Sequence, residues 1–162
     1  MKLRKLVIAS LLLAIGMIMH QMTPPFVMGM KPDFSLAMMF IAIALCDDYK
    51  LTVVIGIAAG LLAAATTTFP GGQLPNVVDK IITSQMVFLM FKIVKNRLNS
   101  QISMITVSII GTLLSGSIFL ASALFIVGLP APFTVLFLSI VVPATIINTI
   151  RSEERRVGKE CP

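Results

Sequence analysis

The chain has 162 residues, of which 57% are hydrophobic and 12% charged, with a formal net charge of +6 and a mean hydropathy of +0.98. Soluble globular domains carry roughly a quarter charged residues, so the composition excludes that class and describes an integral membrane protein. There is room for about six helices of roughly 20 residues, the length that crosses about 30 Å of hydrocarbon, and for no second, soluble domain.

The N-terminus opens with Lys2, Arg4 and Lys5, followed by an apolar run from Leu6 to Met19. A signal peptide starts in the same way. Here, however, the run leads into His20-Gln21-Met22-Thr23-Pro24-Pro25 and not into a small-residue cleavage pattern, so it reads as the first membrane helix. Six apolar segments follow one another at about 6–22, 34–46, 51–65, 81–93, 102–127 and 133–150. The second, third and fourth are short for a full crossing. Either their ends extend into the loops, or protein and not lipid surrounds their polar ends. Cys46 and Cys161 are the only cysteines and have no partner by motif or spacing; Cys46 reads as a small apolar residue at a helix end.

Basic residues set the orientation. Lys2, Arg4, Lys5, Lys50, Lys92, Lys95 and Arg97 fall on one side of the predicted helices, and Lys31 and Lys80 on the other. This bias predicts a multi-pass membrane protein with its N-terminus in the cytoplasm. Two loops rich in glycine and proline, 24–33 and 66–80, then face outward, as does 128–132. Ser10 and Ala14, Gly56 and Gly60, and Gly111, Ser115 and Gly116 are small residues that let helix backbones approach closely in lipid. Gly56 and Gly60 could pack inside the bundle or dock a separate membrane partner. Pro143 predicts a kink in the last helix, and Pro70 and Pro75 a stiff connection before the fourth.

The two outward loops hold most of the polar side chains away from the cytoplasmic boundary, and unpaired burial of such groups is costly. A ligand site explains them. An amino acid needs an acceptor for its ammonium, a donor for its carboxylate and a pocket for its side chain. Asp33 or Asp79 could accept, Lys31 or Lys80 donate, and Gln73 and Asn76 do either. Phe26 and Phe69 could stack on a flat apolar ligand. The plainer alternative pairs Lys31 with Asp33 and Lys80 with Asp79 to neutralise the loops. Asn148 reads as an amide joining helices toward the cytoplasmic end. His20 is the only histidine, Gly71-Gly72 lacks the setting of a phosphate loop, and no catalytic or metal constellation forms. Neither an enzyme, a cofactor nor a nucleic-acid partner is expected.

Residues 151–162 break abruptly into a charged string, and Arg151 to Cys161 resembles the translation of a sequencing-library adapter. They read as a non-native tail on a single membrane domain of residues 1–150, with a genuine basic terminus as the alternative. Without them the net charge is +5, since four basic and three acidic residues leave together.

The strings Pro24-Pro25-Phe26, Gly29-Met30-Lys31-Pro32-Asp33 and Phe69-Pro70-Gly71-Gly72-Gln73-Leu74-Pro75-Asn76 with Asp79-Lys80 resemble the bacterial tryptophan transport proteins of the TrpP type. Gly128-Leu129-Pro130 and Pro143 with Asn148-Thr149 strengthen the likeness, which covers residues 1–150. That family in turn resembles the substrate-capturing S components of energy-coupling factor transporters. The resemblance implies an S-component-like bundle of six transmembrane helices that takes up tryptophan or a related indole, with a membrane coupling subunit and ATPases as partners. A standalone proton- or ion-coupled permease, with Asp33, Asp79 or His20 as proton carriers, and a non-transporting sensor or assembly subunit are the alternatives.

Overall fold

The computed structural model describes residues 3–24, 33–94, 99–129 and 132–157. Every regular element among them is helical: α1 (Leu3–Met22), α2 (Phe34–Cys46), α3 (Tyr49–Thr66), α4 (Gln73–Val94) and α5 (Ser100–Ile126), then a last rod. That rod joins α6 (Phe133–Leu136), a π-helical turn (Phe137–Val141) and α7 (Val142–Val157). The protein is thus the six-rod, all-helical membrane bundle that its apolar pattern predicts. Four rods, α1, α3, α5 and the last, are long and apolar enough to cross a membrane.

The short apolar segments resolve in two different ways. α2 stays at 13 residues, about 20 Å at 1.5 Å per residue, and is surrounded by protein. Leu36, Ala37, Met38, Met39, Phe40, Ala42, Ile43 and Cys46 are each at most 2% exposed. It packs on α1, α3, α4, α5 and α7, which makes it the core of the bundle. Asp33 caps its N-terminus by accepting from the amides of Ser35 and Leu36. Its far end turns through Asp47, which takes a left-handed φ of 45°, directly into Asp48, the N-cap of α3. Cys46 is the buried last residue of α2, where the sequence puts a helix end.

α4 grows instead. The pattern predicts it from residue 81, but it starts at Gln73, so Asp79 and Lys80 lie within a helix and not in a loop. The apolar run alone misplaces this boundary because the first two turns are polar. Pro75 also reads as a loop residue, yet it sits in the opening turn, where a missing N–H costs nothing. Gly71 makes the preceding turn with φ of 73°, and the Asn76 amide donates to the Gly72 carbonyl.

α3 and α4 approach closely. A side chain at Gly56 would meet Ser84 Oγ at 2.1 Å, and one at Gly60 would meet the Val77 backbone at 3.2 Å. The Gly56–Gly60 face therefore packs inside the bundle, against α4. In the last rod the expected irregularity at Pro143 takes the form of a wide turn, in which the Val142 amide donates to Phe137 O. The proline has no N–H to return to the preceding turn, and its ring crowds the carbonyl four residues back, so the helix widens there.

Two apolar clusters hold the bundle. One gathers α1, α2 and α3 around Phe40, Met38 and Leu51, with Val87 and Val107; the other joins Phe69, Leu120, Ala123, Leu136 and Val141. A cavity is lined from both.

Candidate functional site

The cavity measures about 110 Å³, far more than the roughly 10–15 Å³ that one water requires. α1 contributes His20, the N-terminus of α2 Asp33 and Leu36, and the α3–α4 connection Thr67, Thr68 and Phe69. α4 contributes Asn76, Asp79 and Lys80, α5 Thr112, Ser115, Gly116, Phe119 and Leu120, and the last rod Ile140, Val141, Ala144 and Asn148.

Its polar centre is an ionic cluster. Lys80 Nζ lies 2.6 Å from Asp33 Oδ2 and 2.6 Å from Asp79 Oδ2. Asp79 and Lys80 are buried, at 1% and 2% exposure. Thr83 Oγ1 donates to Asp79 Oδ1 at 2.8 Å and Ser115 Oγ to Asp79 Oδ2 at 2.8 Å, so both oxygens of this carboxylate are held. Ser35 Oγ donates to Asp33 Oδ1 at 2.6 Å, and His20 Nδ1 stands 3.8 Å from the same atom. Burial pushes the Asp33 carboxyl upward, but Lys80, His20 and the hydrogen bonds outweigh it and hold it well below the usual carboxylate range. Charges so deep in an apolar bundle are tolerated because each is paired and hydrogen-bonded.

Beside this cluster the walls are apolar and aromatic. Phe69, 5% exposed, meets Phe119 edge-on with ring centroids 5.8 Å apart. Val141 and Ala144 line the last rod, and below them Asn148 is fully buried. The cavity therefore offers both signs of charge, an aromatic wall and a neutral amide. Among the described residues no group of three His, Cys, Asp or Glu side chains could hold a metal ion.

The residues singled out from the sequence are placed unevenly. Asp33, Phe69, Asn76, Asp79 and Lys80 all line the cavity. Gln73 is exposed at the start of α4, outside the lining. Phe26 and Lys31 lie outside the described residues. Lys80 pairs with Asp79, as the neutralising alternative has it, and that pair is buried; it also reaches Asp33, whose side chain is 23% exposed. Thr112 and Phe119 are cavity residues that the sequence reading passes over; Ser115 and Asn148, read there as packing and helix-joining residues, and His20, read as a proton carrier only in the permease alternative, line the cavity too. Their signal was present: Thr112, Ser115 and Phe119 recur at helical spacing along one face of α5.

A family model described as Tryptophan transporter TrpP matches residues 2–153. The chain belongs to this family. Three relatives are each described as a probable tryptophan transport protein. That of Clostridium acetobutylicum is 59% identical over 150 residues, covering 93% of this chain and 88% of the relative. That of Clostridium perfringens is 50% identical over 152 residues, covering 88% and 84%. The Bacillus subtilis protein is 47% identical over 151 residues, covering 93% and 87%. No solved structure matches the chain. TrpP proteins are transporters and not enzymes, so the buried ions are to be read as binding and packing chemistry.

Proposed function

We propose that this protein takes up tryptophan by capturing it in the cavity between α2, α4, α5 and the last rod. The observation that carries the reading is the Asp33–Lys80–Asp79 cluster beside the Phe69–Phe119 wall. A zwitterion brings an ammonium and a carboxylate that can exchange into such a cluster, and an indole brings a flat apolar face. Asp33, Phe69, Asn76, Asp79 and Lys80 are the contacts on the cavity side, and Phe26, Lys31 and Gln73 are the further candidates of the polar stretches 24–33 and 66–80.

The protein crosses the membrane several times with its N-terminus in the cytoplasm; the distribution of basic residues supports this orientation. The cavity then lies toward the outer face, beside the end of α1, the start of α2 and the α3–α4 connection. Residues 1–150 form the working domain. Release inside requires a second conformation favoured by a source of free energy. The protein acts as a substrate-capture component driven by ATPases through a membrane coupling subunit. The proximity of His20 to Asp33, 3.8 Å, favours the second reading, a standalone permease in which these groups carry protons.

Purified protein in detergent, challenged with tryptophan, indole, anthranilate and riboflavin, tests the substrate. A ligand that binds only the folded state raises the melting temperature. Tryptophan is expected to do so saturably and riboflavin not at all. Asp79→Asn is expected to weaken binding while the protein still inserts. Absence of saturable tryptophan binding to wild type overturns the reading. Uptake into vesicles holding this protein alone, without ATP, selects the permease.

A further inference from the structure

The most unusual polar atom in the cavity is Asn148 Oδ1. Its residue is 0% exposed and lines the cavity, yet this oxygen has no hydrogen-bond partner among the described residues. The amide nitrogen leans on Thr112 Oγ1 at 3.5 Å, which steers the side chain and leaves its carbonyl oxygen unpaired beside the cavity that the residue lines. A buried acceptor without a donor is costly, and a ligand that brings an N–H removes that cost.

Tryptophan has two kinds of donor, its ammonium and the indole N–H. The ammonium is served by the ionic cluster, where two carboxylates face a single lysine. The indole N–H donates only and calls for a neutral acceptor, because its surroundings are otherwise apolar. The spacing agrees. Asp79 is held by Ser115 and Asn148 by Thr112, and residues three apart on one helix face are separated by about 5–6 Å between Cβ atoms. Asn148 and Asp79 are thus anchored one turn apart on the same face of α5, and both line the cavity. Val141 and Ala144 lie above Asn148 on the same stripe of the last rod, forming an apolar wall along the route between them.

Resting on the reading of the cavity as a tryptophan site, the geometry points to Asn148 as the residue that recognises the indole N–H through Oδ1, and so separates tryptophan from flat aromatic amino acids without that donor. Sites built to bond a substrate N–H reject analogues lacking it, because the buried partner is left unpaired.

The test compares tryptophan with 3-(3-benzothienyl)alanine, in which sulfur replaces the N–H at nearly constant shape, for purified wild type and for Asn148→Leu. Wild type is expected to bind tryptophan at least tenfold more tightly than the sulfur analogue. Asn148→Leu is expected to bind both equally, within about twofold, with affinity for the analogue retained, which also reports that the variant is folded. Thr112→Val, which leaves Asn148 in place but removes its support, is expected to lower the preference partway. Equal affinities in wild type overturn the inference while leaving tryptophan capture intact, and so does a preference that survives in Asn148→Leu. Wild type that binds neither compound overturns the capture reading itself.

Discussion

The Lys80 ammonium lies 2.6 Å from the Asp33 carboxylate, and this contact ties α4 to the N-cap of α2. Asp33 thus has two tasks, since the same side chain accepts from the first amides of α2. Ion pairing and helix capping meet at one carboxylate.

Lys80→Met leaves the buried Asp79 and the partly exposed Asp33 without their ammonium. Removing one partner of a buried ion pair costs about 3–5 kcal/mol, and a loss of that size in unfolding free energy is expected. The double variant Asp79→Asn with Lys80→Met should recover part of it, because fewer charges are stranded. A double-mutant cycle from denaturant or thermal unfolding in detergent checks this; a single variant as stable as wild type contradicts it.

Gly56→Ala acts at a distance from the cavity. The added methyl meets Ser84 at 2.1 Å and the Lys80 carbonyl at 3.3 Å, so α4 must move away from α3 and take Lys80 with it. Overpacking of this kind costs about 1–3 kcal/mol. A lower melting temperature together with weaker tryptophan binding is the expected outcome, although Gly56 touches no ligand.

Phe69→Leu keeps most of the buried volume and removes the edge-on contact with Phe119. Aromatic pairs contribute about 0.5–1.5 kcal/mol beyond area burial, so tryptophan affinity should fall about two- to tenfold. Titration of the purified variant measures it, and unchanged affinity removes Phe69 from the binding wall.

Acid stability follows from Asp33. Its folded carboxyl is held below the ordinary value of 3.8, so its contribution is complete above that value and drains away as the pH falls further toward the folded value. Asp33→Asn should show a shallower loss of melting temperature below that point than wild type, with the two curves parallel at neutral pH. A wild-type decline beginning well above it, and absent in Asp33→Asn, contradicts the prediction.

Much of this architecture is legible in the sequence. Long apolar runs mark the rods, and a polar stretch between two of them marks the region of the site, because hydropathy reports burial in lipid directly. What the runs cannot show is where a helix starts once its first turns are polar. Pro75 and Asp79 look like loop residues until the cavity that receives Asp79 and Lys80 is seen. The Lys80–Asp33 pair joins residues 47 positions apart (80 − 33), and local patterns carry nothing about such a distance. Ser115 and Gly116 read as packing residues because small side chains serve that purpose in most membrane helices. Only the facing Asp79 turns Ser115 into a donor.

The wide turn at 137–141 has a further consequence for the direction of the last rod. Leu136 and Val141 both point inward, five positions apart, whereas Val141, Ala144 and Asn148 follow at steps of three and four. At about 100° per residue, five ordinary α-helical steps would leave Val141 roughly 140° away from the heading of Leu136. The extra residue acts as a phase correction that swings the lower half back toward the interior. Within this rod, 137–141 is therefore the place where one residue could be deleted without rotating Asn148 out toward the lipid.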